Sequence, residues 1–313
     1  MRAIAYKKYG KAEVLEEMDL PDPVMGEDDL LVRIHAVSVN PIDWKIRSGA
    51  LRLLSGGNFP RIPGSDFAGE VLSTGKNTRR FQKGDRVFGM LPPMKGGAFA
   101  TLAAVPERLA AQAPRNLTYE ECAAVPLAGL TALQALRDPG EIQDSQKVLI
   151  YGAAGGVGTF AIQIARIFQA DVTAVASGSS EEIVRSAGAN RFIDYTRENF
   201  ARIDSKYDIV FDCVGKTYYA DCVDILKPDG KYITVELGPG VFWDSLRGGF
   251  FGGPTCSFII TKESSDDLDM LRHYIQGKTI KPVISTIFPL SRAREAHALS
   301  EAGHVKGKIV LRM

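Results

Sequence analysis

The sequence predicts an α/β protein of two domains, an irregular β-rich one and a doubly wound parallel sheet. Three observations carry that expectation. Strand-like apolar runs alternate with helical periodicity over residues 146–260, the first third of the chain consists of short β-branched runs broken by turn residues, and a glycine-rich loop joins a strand pattern to a helix pattern at Gly152 to Gly158. A length of 313 residues also exceeds what one hydrophobic core usually fills.

Residues 1–117 make the β-rich domain. Leu30-Leu31-Val32-Arg33-Ile34, Ala68-Gly69-Glu70-Val71-Leu72 and Asp85-Arg86-Val87-Phe88 read as strands, and Pro21, Pro23, Gly26, Pro41, Gly64, Gly75, Gly84, Pro92 and Pro93 punctuate them at strand-sized intervals. The character changes after Leu117. Thr118 caps a helix with Glu121 three residues on, and an Ala- and Leu-rich stretch follows. The second domain is therefore expected over 118–264. Its strands are Val148-Leu149-Ile150, Val172-Thr173-Ala174-Val175, Phe192-Ile193, Ile209-Val210-Phe211, Tyr232-Ile233-Thr234-Val235 and Phe258-Ile259-Ile260. Alternating β and α segments close best as a parallel sheet covered on both faces. The tail, 265–313, begins with helical spacing at Leu268, Leu271, Tyr274 and Ile275, ends in the strand Lys308-Ile309-Val310-Leu311, and is expected to complete the first domain.

Composition removes several function classes. With 38 basic and 37 acidic residues, no global field recruits nucleic acid or an anionic membrane. No apolar run is long enough to cross a bilayer, and a cytoplasmic protein is expected. Cys122, Cys213, Cys222 and Cys256 form no C-x-x-C pair, and His35, His273, His297 and His304 show no metal-binding spacing, so no metal site is expected.

The glycine loop carries the first chemistry. Gly155 and Gly158 match the second and third glycines of G-x-G-x-x-G, with Ala153 at the first position and Gly152 just before it. A pyrophosphate must come within hydrogen-bond reach of this backbone, and the following helix N-terminus supplies N–H groups and a favourable dipole. Ala154, Gly155, Gly156, Val157 and Gly158 are the expected phosphate cradle. The next strand ends in Ser177-Gly178-Ser179-Ser180, where an NAD-preferring loop would carry an acid. Neutral hydroxyls at Ser177 and Ser180 leave room for a 2′-phosphate, so NADPH is expected over NADH. Cys213, Val214 and Gly215, and then Leu237 and Gly238, follow later strands at the carboxyl edge of the sheet, where open α/β folds bind ligands. No histidine neighbours Cys213 in the sequence, so a backbone or packing contact is expected there and not a nucleophile.

Together, Val39-Asn40-Pro41-Ile42-Asp43-Trp44-Lys45, Ile62-Pro63-Gly64-Ser65-Asp66-Phe67-Ala68-Gly69, Gly84-Asp85-Arg86-Val87, the glycine loop and Gly307-Lys308-Ile309-Val310-Leu311 resemble the medium-chain dehydrogenase/reductase superfamily. The resemblance covers essentially the whole chain and is strongest to its zinc-free quinone oxidoreductases and alkenal and enone reductases. It implies a GroES-like catalytic domain beside a Rossmann domain. It also implies that Ser177, Ser180 and Tyr195 hold the adenosine ribose and its phosphate, that Lys308 approaches the cofactor, that Thr131 neighbours the nicotinamide, and that the chain pairs as a homodimer near Phe258. In zinc-dependent relatives a cysteine lies in the loop that here reads Asn40 to Asp43, a histidine stands at the place of Ser65, and a second cysteine falls near Leu127. None of these places carries Cys or His here.

Without a metal, hydride transfer to a conjugated carbonyl needs a donor for the charge growing on oxygen. Asn40 either donates its amide there or holds the loop, Lys45 is a second candidate stabiliser, and Asp43 orients either one. The resulting expectation is an NADPH-dependent reductase of a quinone or α,β-unsaturated carbonyl. The alternatives are an NADP-linked alcohol dehydrogenase or carbonyl reductase, and a cofactor-binding sensor or structural protein with little turnover.

Overall fold

In the computed structural model, which describes residues 1–236, 240 and 253–313, the change of sequence character after Leu117 does not end the first unit. That unit runs over Met1–Leu130 and resumes at Glu263–Met313, and the second is Thr131–Lys262. The reason lies in the helix Tyr119–Ala123. The Thr118–Glu121 capping box starts it as expected, but its side chains belong to the β-rich unit. Tyr119 stacks on His35 with ring centroids 4.3 Å apart, Arg86 lies over the Tyr119 ring at 4.6 Å, and Glu120 meets Arg312 at 2.5 Å.

The spine of the first unit is the strand Asp29–Val39. Leu30, Val32 and Ile34 alternate inward into a core shared with Phe67, Val71, Val87, Phe99 and Leu311. From Ala36 to Val39 both faces of the strand are buried. Asp66–Thr74 pairs with it antiparallel on one side, and Leu102–Pro106 and Lys308–Arg312 pair with it on the other. Arg86–Met90 and Ala110–Gln112 extend the sheet beyond Asp66–Thr74, and Ile284–Pro289 extends it beyond Lys308–Arg312. The register positions a group of polar side chains: Val37 faces Phe67, and Val39 faces Ile309. The residues next along each strand, Ser38 with Asp66 and Asn40 with Lys308, are thereby brought to one spot.

In the second unit, six parallel strands are ordered Arg191–Asp194, Asp171–Ala176, Lys147–Tyr151, Tyr207–Asp212, Leu226–Thr234 and Thr255–Phe258 among the described residues. This is the doubly wound dinucleotide-binding order 3-2-1-4-5-6, with its crossover point beside Lys147–Tyr151. The helix Gly156–Ile167 buries Phe160, Ala161, Ile162 and Ile164. The last strand stops at Phe258 rather than continuing through Ile260, whose side chain is exposed.

Candidate active site

A buried polar cluster forms where the strand ends of the first unit converge. Asp66 is fully buried, and its Oδ2 accepts Ser38 Oγ at 2.5 Å, Asn40 Nδ2 at 2.8 Å and Lys308 Nζ at 3.4 Å. Its Oδ1 accepts the Leu127 backbone N–H at 2.8 Å, in the first turn of the helix Pro126–Arg137, where free N–H groups and the helix dipole favour a carboxylate. The Lys308 ammonium also donates to Asn40 Oδ1. Asn40 is thus gripped through both ends of its amide, and Lys308, expected to approach the cofactor, has its ammonium buried in this cluster. Neither Ser38 nor Asp66 was among the expected site residues.

Asn40 also opens the helix Pro41–Arg47, with Pro41 at its first position. Asp43, one turn in, accepts the Asn40 backbone N–H at 2.8 Å. Burial pushes the Asp43 carboxyl up to about 7, opposed by backbone hydrogen bonds from Asn40 and Gly64, while the Asp66 charge raises it and the Lys308 charge lowers it. Lys45 is half-buried on the same helix. Thr131, in the second unit, is buried with its hydroxyl 2.6 Å from that of Thr261, and the adjacent Gln134 clasps the Lys262 backbone with both ends of its amide.

These side chains do not fit a zinc ion. The three places where zinc-dependent relatives carry ligands present an amide, a hydroxyl and, at Leu127, an alkyl chain whose backbone N–H is committed to Asp66. A lysine ammonium sits in the same cluster, where it would repel a cation. Among the described residues, no three His, Cys, Asp or Glu side chains converge into a metal site.

The residues of the second unit do fit a dinucleotide. Gly152, with φ +72°, makes the sharp turn after the first strand, one residue before the position the fingerprint spacing assigns to it. Gly155 caps the helix Gly156–Ile167 with no side-chain hydrogen bond, which leaves the first-turn N–H groups open to an anion. A Cβ on Gly155 would meet only Gly152 O, at 3.3 Å, whereas one on Gly158 would lie 2.4 Å from that oxygen, so only glycine lets helix and strand approach at Gly158. Ala154 is buried behind this loop, and Gly156 and Val157 are partly open.

Ser177 and Ser180 come together with their hydroxyls 3.1 Å apart. The Tyr195 N–H donates to Ala176 O at 3.2 Å, so the two loops interlock, and the tyrosine ring is 41% exposed beside them. Asp194, which the strand-end rule did not reveal, accepts the Gly178 N–H and the Thr196 N–H and hydroxyl; the Thr196 hydrogen bonds hold its carboxyl below the usual range. Asp212 organises the next loop. Its Oδ1 accepts the Val214 and Gly215 N–H groups at 2.9 and 2.8 Å, and its Oδ2 accepts Thr217 N–H and Oγ1. Val214 is left presenting a half-exposed apolar side chain. Cys213 is buried, and burial together with the Asp212 charge pushes its thiol well up, away from thiolate chemistry. Leu237 and Gly238 lie outside the described residues.

Known proteins share this architecture. Residues 26–115 match the family model of the alcohol dehydrogenase GroES-like domain, and residues 187–311 match that of zinc-binding dehydrogenases. A chloroplast envelope quinone oxidoreductase homolog of Arabidopsis thaliana is 33% identical over 99% of this chain and 98% of its own. An NADPH-dependent alkenal/one oxidoreductase of the same plant, chloroplastic, is 34% identical over 99% of this chain and 79% of its own. The structure of the quinone oxidoreductase from Coxiella burnetii superposes with a TM-score of 0.91 at 31% identity, covering 100% of this chain and 99% of the other.

Proposed function

The chain belongs to the medium-chain dehydrogenase/reductase family, among its quinone and alkenal/one oxidoreductases, and from that premise we propose a zinc-independent, NADPH-preferring reductase of a quinone or an α,β-unsaturated carbonyl. The observation that carries this reading is the Asp66 cluster, which holds the Asn40 amide, at one of the places where zinc-dependent relatives carry a ligand, and buries the Lys308 ammonium beside it. Bound NADPH supplies the hydride. The uncapped helix N-terminus after Gly155 binds its pyrophosphate, with Ala154, Gly156, Val157 and Gly158 shaping the cradle. Ser177, Ser180 and Tyr195 take the adenosine ribose and its 2′-phosphate, and Cys213, Val214 and Gly215 offer a wall to the cofactor.

On the substrate side, Asn40 spends one amide hydrogen on Asp66, keeps a second for an oxygen acceptor, and is held rigid by Lys308. Thr131 borders the nicotinamide, and Lys45 adds a cation to the substrate loop. Thr255–Phe258 ends the order of paired strands among the described residues, which supports a homodimer formed by sheet extension. Among the described residues no helix is long and apolar enough to cross a membrane.

The test uses protein purified in a chelator and titrated with NADPH and NADH, then mixed with a quinone and with an enone. The expected result is NADPH binding at least about tenfold tighter than NADH, a difference of about 1.4 kcal/mol, and turnover that added zinc does not raise. Zinc-dependent turnover, or tighter NADH binding, would overturn the corresponding part of the reading. Tight NADPH binding with no turnover of either acceptor would favour a sensor.

A further inference from the structure

The near balance of 38 basic and 37 acidic residues over the whole chain hides a local imbalance. Three stretches of the β-rich unit, 1–12, 44–65 and 86–106, contain no Asp or Glu. The fold brings them together. Ile4 N–H donates to Phe99 O at 2.8 Å, Tyr6 and Arg61 exchange backbone hydrogen bonds, and Gly10 N–H donates to Arg47 O at 3.0 Å. Lys7, Lys8, Lys11, Arg52 and Lys95 are exposed on these stretches, whereas Asp43 and Asp66, the acids that flank the middle one, are buried.

The same surface carries an apolar feature. The helical turn Arg52–Ser55 projects Leu53 and Leu54 into solvent, 94% and 73% exposed. The fold ties this turn down. Tyr9 Oη lies 3.2 Å from Ser55 Oγ and donates to Gly56 O, while the Arg61 guanidinium donates to Ser55 O at 2.6 Å and to Met94 O, one residue before Lys95. Tyr9 also packs edge-on against Phe59, with ring centroids 5.2 Å apart, so the chain at Lys7 and Lys8 runs beside the leucine turn. Single leucines at a surface are ordinary. Two adjacent ones on an anchored turn, with exposed cations and no acid on the segments around them, match an anionic bilayer, whose headgroups attract the cations and whose acyl region takes up the leucines. A nucleic acid would meet the cations but leave the leucines in water, and a second copy of the patch would be repelled by its like charge.

We propose that this face docks the chain on the surface of an anionic bilayer, with Leu53 and Leu54 inserted at the boundary between headgroups and acyl chains and Lys7, Lys8, Lys11, Arg52 and Lys95 held by acidic phospholipid headgroups. Such attachment needs no spanning helix. It is reversible, because two leucines bury little apolar area and the exposed charges are screened by salt. The inference is independent of the reaction proposed for the chain.

The experiment sediments the full-length protein with vesicles of phosphatidylcholine alone and of phosphatidylcholine mixed with phosphatidylglycerol, over a range of salt. The wild type is compared with Leu53→Ser/Leu54→Ser and with Lys7→Gln/Lys8→Gln/Arg52→Gln, and NADPH affinity, expected to be unchanged in both variants, reports that they fold. The wild type should bind the anionic vesicles at low salt and leave the neutral ones in solution. Loss of the leucines should lower its partitioning at least about tenfold without changing the salt dependence. Loss of the three cations should lower it by about fivefold for each charge removed and flatten the salt dependence. Wild type that stays in solution with the anionic vesicles at low salt would overturn the proposal. So would a serine variant that binds as well as the wild type, and so would binding to duplex DNA that both outcompetes the vesicles and ignores the leucines, which would reassign the patch to nucleic acid.

Discussion

Asp66 shows how one side chain sets the chemistry of its neighbours. Four donors converge on a carboxylate with no exposure, one of them the buried ammonium of Lys308. Removing the carboxylate strands that ammonium, so Asp66→Ala is expected to cost about 3–5 kcal/mol, read as a lower urea midpoint. Asp66→Ala with Lys308→Met should recover part of the loss, and equal losses in the single and double variants would show that the ion pair is not the cause. The loop from Asn40 to Asp43 was legible as a turn rich in Asn, Pro and Asp, whereas the convergence of Ser38 and Asp66 with Asn40 was not. It depends on the register that sets Val37 against Phe67 and Val39 against Ile309, pairings that no local pattern encodes.

Elements were more readable than residues wherever one face of a strand or helix is buried. Alternation marked Asp29–Val39 and Asp66–Thr74, and a capping box marked the start of Tyr119–Ala123. The strand, glycine loop and helix were legible in that order, but the turn falls to Gly152 and not to Ala153, because a strand that ends at Tyr151 must reverse at once. Gly158 is where this element is least tolerant. A methyl group there meets Gly152 O at 2.4 Å, so Gly158→Ala is expected to force strand and helix apart, at a cost of about 1–3 kcal/mol. NADPH affinity should fall at least about tenfold, which fluorescence titration would check. Unchanged affinity would mean that the helix N-terminus can shift without releasing the pyrophosphate.

At the scale of the molecule, the α/β class was legible from the alternation of strand and helix patterns, while the place where the units divide was not, because the side chains of Tyr119–Ala123 return to the β-rich unit. That unit is discontinuous. Its final strand, Lys308–Arg312, lies inside the sheet between Asp29–Val39 and Ile284–Pro289. Deleting residues 308–313 would expose the edge of Asp29–Val39, leave Asp66 without its cation and remove Ile309 and Leu311 from the core. Such a truncation is expected to lose the cooperative unfolding of the β-rich unit while the contiguous unit Thr131–Lys262 still binds NADPH, a contrast that hydrogen exchange would resolve. Full protection of residues 29–39 in the truncated chain would refute it. The same topology imposes an order of birth. As the chain leaves the ribosome, the nucleotide-binding unit is complete once Lys262 has emerged, whereas the β-rich unit waits for Lys308–Arg312. The nascent polypeptide would then acquire its nucleotide-binding fold before its chemistry, and the unpaired edge of Asp29–Val39 would be left for chaperones to shield until Lys308–Arg312 emerges.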